Sequence, residues 1–430
     1  MSFQTGLSGL NASSKSLDVI GNNIANANTV GMKSSRAEFA DLVASSLGSG
    51  GGGGGAGIGV SVATVAQQFS QGNINITGNS LDVAINGNGF FQVTRTDGTT
   101  AYTRDGQFKL DKDGNIITNT GAAVMGYQTD PLTGAPIGVA TQALTVPTSA
   151  PIPAKATTAI TAEFNLDARA IIASNAVPPT PIATYGTSLT AYDSQGVALP
   201  VNLYFRKIDP AVGPSTGTPI VTPSPSDQWE VFTKATGGAA NSAGVLVFDA
   251  TGKRSALSTV NTLTLSPSAY AASLTPPKTS VVPDFTVTVD VSKVTQFGVA
   301  FNVSNLKQDG YTAGELTGIS IAPSGTITTR YSNGQTQFRG QLALADFRNV
   351  QGLTPVGSGE YLETFASGQR VLGNPSIGKF GELRAGAVEE SNVDLTAELV
   401  NMMTAQRNYQ ANAQTIKTQD QIMSTLVNLR

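Results

Sequence analysis

The chain has 430 residues, enough for several domains with separate cores. Only 13% are charged, and 26 basic against 29 acidic residues leave a net charge of −3, so nothing draws it generally to nucleic acid or an anionic membrane. It has no cysteine and no histidine, which excludes disulfides, Cys/His zinc sites, thiol catalysis and Ser-His-Asp hydrolysis.

Residues 3–43 read as helical with interruptions. Leu10, Leu17 and Ile24 fall seven apart, with Leu7 and Ile20 in the same stripe and asparagine around it. No basic region followed by an apolar run opens the chain, so a cleaved secretory signal is not expected. No stretch approaches the roughly 18 apolar residues of a membrane-spanning helix.

"GSGGGGGGAGIG" (48–59) contains six consecutive glycines, Gly50, Gly51, Gly52, Gly53, Gly54 and Gly55. It lacks the preceding strand, following helix and Gly-Lys-Ser/Thr of a phosphate loop, so it reads as a flexible, hinge-like connector. Strand signals run from about 74 to 128. Asp97-Gly98, Asp105-Gly106 and Asp113-Gly114 follow at eight-residue spacing, the pattern of an antiparallel meander of hairpins. "DKDGN" (111–115) resembles the start of a calcium loop, but Ala122 stands where the closing Glu is needed, so a hairpin turn is expected.

Residues 130–190 are rich in Pro, Ala and Thr. Strand-like runs follow at 197–206, 228–234, 244–249 and 284–292, with Pro-rich loops between them. Strands then resume at "FGVAFNVSN" and "GTITTRYSNGQTQFRGQLALADF", which suggests that the middle stretch is an inserted domain. The C-terminal segment carries Leu395, Leu399, Met402, Tyr409, Ile416, Met423 and Leu426 at helical spacing. A helix over 393–429 would reach roughly 55 Å, and one that long usually has a partner along its length. Ser391 with Asp394 suggests a capping box, and Glu389 and Glu390 suit the helix dipole. An isolated helical hairpin would expose a weakly charged amide surface, whereas an array of copies would share it.

"SGLNASSKSLDVIGNNIANANTVGMKS" (8–34) resembles the N-terminal motif of the flagellar rod and hook family. "LDVAINGNGFFQV", "YTRDGQFKLDKDGNI" and "SNVDLTAELVNMMTAQRNYQANAQTIKTQDQIMSTLVNLR" resemble its core and C-terminal motifs. The resemblance covers about 1–43, 68–128 and 376–430. Rod members are shorter and lack a large inserted domain, so length sets this chain with the hook members. The resemblance implies subunits that pass unfolded through the flagellar export apparatus without a cleaved signal peptide. It further implies that many copies polymerise outside the membrane into a curved tube that serves as a universal joint. Implied further partners are rod and hook–filament junction proteins at its ends and a hook cap during assembly, with no nucleic acid and no membrane insertion. A distal rod or junction protein is the alternative within the family, and a secreted β-rich adhesin a more remote one.

The expected fold is multidomain α+β, with long terminal helices paired as a coiled-coil-like unit and two mainly antiparallel β-domains, the outer inserted in the inner. The expected boundaries are 1–30 with 390–430 for the helices, 31–70 with 376–389 for a connecting region, 71–145 with 296–375 for the inner β-domain and 146–295 for the outer. Inter-subunit packing is expected at Leu7, Leu10, Leu17, Ile20, Ile24, Leu395, Leu399, Met402, Tyr409, Ile416, Met423 and Leu426. No catalytic residue, metal or cofactor is expected.

Overall fold

A computed structural model describes residues 3–43, 57–147, 151–176, 180, 182–209, 214, 227–234 and 240–428. The connector at Gly50 to Gly55 and the side chain of Leu426 lie outside the described residues. The chain forms two compact units. One comprises residues 1–149, 317–330 and 336–430, the other 150–316 and 331–335.

In the first unit, helices Phe3–Ala25 and Leu395–Asn428 pack against each other. The C-terminal helix, 34 residues long, spans about 51 Å at 1.5 Å per residue. Its cap is Asp394, not Ser391. The Asp394 Oδ1 accepts the backbone N–H groups of Thr396 and Ala397 at 2.9 and 3.1 Å, the two donors an N-cap carboxylate reaches best.

The helical reading of residues 26–43 is overturned. The N-terminal helix stops at Ala25, the chain turns at Gly31 (φ +70°), and Ser35–Val43 is a strand paired antiparallel with Gly57–Gln67. Two contacts enforce the exit. The Asn23 side-chain amide brackets Ser35, donating to its O at 2.8 Å and accepting from its N at 2.9 Å. A β-carbon at Gly31 would stand 2.5 Å from the Asp105 backbone nitrogen, so only glycine fits that approach.

The sheet of this unit centres on Phe90–Thr94. It pairs with Thr100–Thr103 on one side and with Ala123–Tyr127 and Leu344–Asp346 on the other. Phe90 packs edge-on to Phe69, Phe347 and Tyr361, and Phe91 to Phe108, so the strand is buried on both faces. Gly98 and Gly114 take positive φ as turn residues. At 111–115 the Asp111 carboxylate accepts the N–H groups of Asp113 and Asn115, forming the expected hairpin turn.

Asp105-Gly106 is not a hairpin turn. The Gly106 carbonyl accepts from Val83 N at 2.9 Å, and a β-carbon there would lie 1.8 Å from the Val83 oxygen. Gly106→Ala therefore forces two backbones apart. A loss of about 1–3 kcal/mol is expected, read as a lower urea midpoint; an unchanged midpoint would refute the close approach.

The second unit pairs a four-stranded antiparallel sheet with a five-stranded one. The first has the order Tyr185–Tyr192, Ala198–Ile208, Gln228–Lys234, Ala240–Val247. The second is built round Ala159–Asp167, which runs parallel to Phe285–Asp290 and Thr295–Phe297 and antiparallel to Asn302–Gln308. Ile160, Phe164, Leu166, Phe205, Trp229, Leu246, Phe248 and Val287 share one core. The unit extends past the expected limit at 295, because Asn302–Gln308 completes this sheet.

Candidate helical interface

The two terminal helices run antiparallel, with Gly6 beside Ile416 at one end and Asn23 beside Glu398 at the other. Gly6 and Gly9 lie one turn apart on the shared face. A β-carbon on them would stand 3.2 Å from Ile416 Cγ1 and 2.9 Å from Asn412 Nδ2, so their missing side chains set the separation. Asn412 Nδ2 reaches Ser13 Oγ at 3.5 Å, and Asn23 Nδ2 donates to Glu398 Oε1 at 3.2 Å. The seam is small and polar, with Ala405 at its dry centre. Asparagine here does structural work: Asn23 is 1% exposed and ties both helices to the strand that follows.

Where the helices meet the β-core, residues distant in sequence converge. Glu389 lies fully buried and accepts from Lys33 Nζ at 2.6 Å, the Gly72 N–H at 2.9 Å and Arg104 Nη1 at 3.1 Å. Lys33 Nζ also donates to the Ser70 carbonyl, and Arg104 Nη2 to that of Gly87. Burial pushes the Lys33 and Arg104 pKa values down, and the Glu389 charge opposes it. Asn392 adds a second clasp, accepting from Ser34 N and donating to Gln68 O and Ser70 Oγ. Glu389 is therefore not the dipole partner expected of it, because its carboxylate is spent inside this cluster.

The residues expected to pack between copies fall into distinct places. Ile20 is buried within the chain, and Leu10, Leu17, Ile24, Met402 and Ile416 are half-buried. Leu7, Leu395, Leu399, Tyr409 and Met423 are exposed, Leu399 by 46% and Met423 by 56%. Ile416 meets Gly6, so part of the stripe is used inside the chain and part is left uncovered. Sequence reading missed Gly6, Gly9, Asn23, Asn392 and the Lys33–Glu389–Arg104 cluster. The Gly-x-x-Gly spacing in an amphipathic helix was a usable signal for the first two; nothing in the sequence joins 33, 104 and 389.

Among the described residues no group of three acidic side chains converges as a metal site, and no helix is long and apolar enough to cross a membrane.

Four family models match the chain. Residues 3–33 match the flagella basal body rod protein model and 84–163 the flagellar hook protein FlgE/F/G D1 domain. Residues 165–311 match the flagellar basal body protein FlaE D2 domain, and 384–429 the flagellar basal body rod FlgEFG protein C-terminal model. The flagellar hook protein FlgE of Salmonella typhimurium is 39% identical over 451 residues, with all of both chains covered. That of Escherichia coli K12 is 39% identical over 444 residues, again across both full lengths. Among solved structures, the Helicobacter pylori flagellar hook protein FlgE2 has a similar fold. It matches with a TM-score of 0.52 at 14% identity, covering 72% of this chain and 99% of that one.

Proposed function

This chain belongs to the flagellar hook protein family, and from that premise we propose that its paired terminal helices are the elements through which copies assemble into a tube. It is a structural subunit of the flagellar hook, polymerises with itself, and is not an enzyme. In the proposed arrangement the helices form the inner wall and the β-units the outer layers. The carrying observation is the apolar side of the C-terminal helix. Leu395, Leu399 and Met403 stay about half exposed, whereas the face turned to the N-terminal helix is lined by Ala405, Asn412 and Ile416. An uncovered apolar stripe on a helix implies a surface still to be covered.

Torque transmission through a bent axis requires subunit spacing to shorten inside the bend and lengthen outside it. An outer surface rich in Ser, Thr and Asn suits that motion, since uncharged polar groups between the β-units do not fix one register as a desolvated ion pair would. The tube would be reached by export of the unfolded chain, with rod and junction proteins at its ends and a cap during growth.

Electron microscopy of polymer grown from the purified chain tests the reading. Hollow, curved tubes are expected. Straight rods would favour a distal rod or junction role, and failure to form any polymer would remove the proposal.

A further inference from the structure

The two helices carry very few charges. Lys15 and Asp18 lie one turn apart, as do Lys417 and Asp420, so each has an opposite charge close by on its own helix. Glu398 and Arg407 have none. They are nine residues apart on the C-terminal helix, about 14 Å along its axis and half a turn round it, so they cannot meet within one chain.

Among the described residues neither has an ion-pair partner. Glu398 Oε1 accepts from Asn23, but Oε2 is buried and without a hydrogen-bond partner among the described residues. Arg407 is exposed and forms no ion pair among the described residues. Glu398 lines a cleft of about 380 Å³ between the two helices and the first hairpin strand, bordered also by Ser16, Ser35, Asn401, Thr404 and Asn408. The walls mix these hydroxyls and amides with the apolar side chains of Val19, Ile20, Ala37 and Ala405. A guanidinium entering there would meet the hydroxyl and amide oxygens of the wall, and pair with Glu398 once the buried Oε2 turns towards the cleft. Arg36 stands at the rim but is committed to Glu38 at 2.8 Å.

The geometry points to an ion pair between copies: Arg407 of one subunit enters the cleft of a second copy and meets Glu398. This rests on the assembly reading above and adds to it a specific contact that sets register. Helix pairs stacked face to back place the required groups on facing surfaces, because Arg407 lies half a turn round the C-terminal helix from Glu398. An apolar stripe alone tolerates sliding by a turn; one pair of opposite charges per subunit interface does not.

A charge-swap cycle on the full chain tests it. Glu398→Arg and Arg407→Glu are each expected to raise the concentration needed for polymerisation on the order of tenfold. The double variant is expected to return to within about threefold of the parent. Arg407→Gln, which leaves Asn23 and the cleft intact, should give the same direction with a smaller effect. Circular dichroism of each monomer checks that the swap has not unfolded the chain.

Singles that assemble like the parent overturn the pair, as does a double variant as impaired as the two singles combined. Should a chain lacking the C-terminal helix still make tubes, the assembly reading itself is at fault. If tubes need the helix but show no rescue, only the ion pair is wrong.

Discussion

Glu389→Ala is expected to lower the stability of the first unit by about 3–5 kcal/mol, because removing one member of a buried ion cluster strands the others. The carboxylate pairs with two cations, Lys33 at 0% and Arg104 at 5% exposure, and also accepts the Gly72 N–H. Alanine leaves Lys33 with the Ser70 carbonyl, and Arg104 with the Gly87 carbonyl, the Phe90 ring and the charge of Asp346. Against a total stability of roughly 5–15 kcal/mol for a domain, that is a large fraction. Lys33→Met should cost less, since the Glu389–Arg104 pair survives and the methionine stem fills similar volume. Urea denaturation of the monomer, followed by far-ultraviolet circular dichroism, measures both. A loss below about 1 kcal/mol for Glu389→Ala would mean that water enters the cluster and solvates the cations.

The cluster also explains how a chain with two separated terminal segments holds its helices in a fixed relation to the sheet. Lys33 leaves the N-terminal helix, Glu389 leads into the C-terminal one, and Arg104 belongs to the β-core. One carboxylate orients all three.

Periodicity revealed the elements whose signal is local. The apolar stripes announced both helices, and Gly98 and Gly114 occupy the turns their Asp-Gly pairs suggested. Strands Gln142–Ala143, Ala159–Asp167 and Tyr185–Tyr192 went unread in or at the edge of a stretch dominated by Pro, Ala and Thr. One of them, Ala159–Asp167, has Ile160, Ala162, Phe164 and Leu166 in strict alternation, all nearly buried. Its composition masked a clear period of two. Ser35–Val43 was missed for another reason: it is held as a strand by Asn23 and its hairpin partner, and its own residues do not oppose a helix. The Lys33–Glu389–Arg104 cluster belongs to a third kind, since contacts between residues hundreds of positions apart leave no mark on spacing. Glu389 beside a helix start looked like an electrostatic cap, and only the fold shows where its carboxylate goes.

Removing residues 391–430 is expected to abolish tube formation while the second unit stays folded. That unit takes its core from Ile160, Phe205, Trp229 and Val287, none of which depends on the deleted segment. The deletion takes away the apolar stripe of Leu395, Leu399 and Met403 and the Asn392 clasp. It also leaves the N-terminal helix of 23 residues without its partner, and a single helix with few charges is marginal in water. Leu399→Asp narrows the cause. Its side chain is 46% exposed, so the change should spare the intrachain pair at Gly6–Ile416 and Gly9–Asn412 yet place an unpaired carboxylate in any apolar contact between copies. Ile416→Asp does not separate the two effects, because Ile416 meets Gly6 in the same chain. Sedimentation and electron microscopy of the three proteins should show polymer only for the parent. Tubes from the truncated chain would mean that copies join through their β-units, and the uncovered stripe would need another explanation.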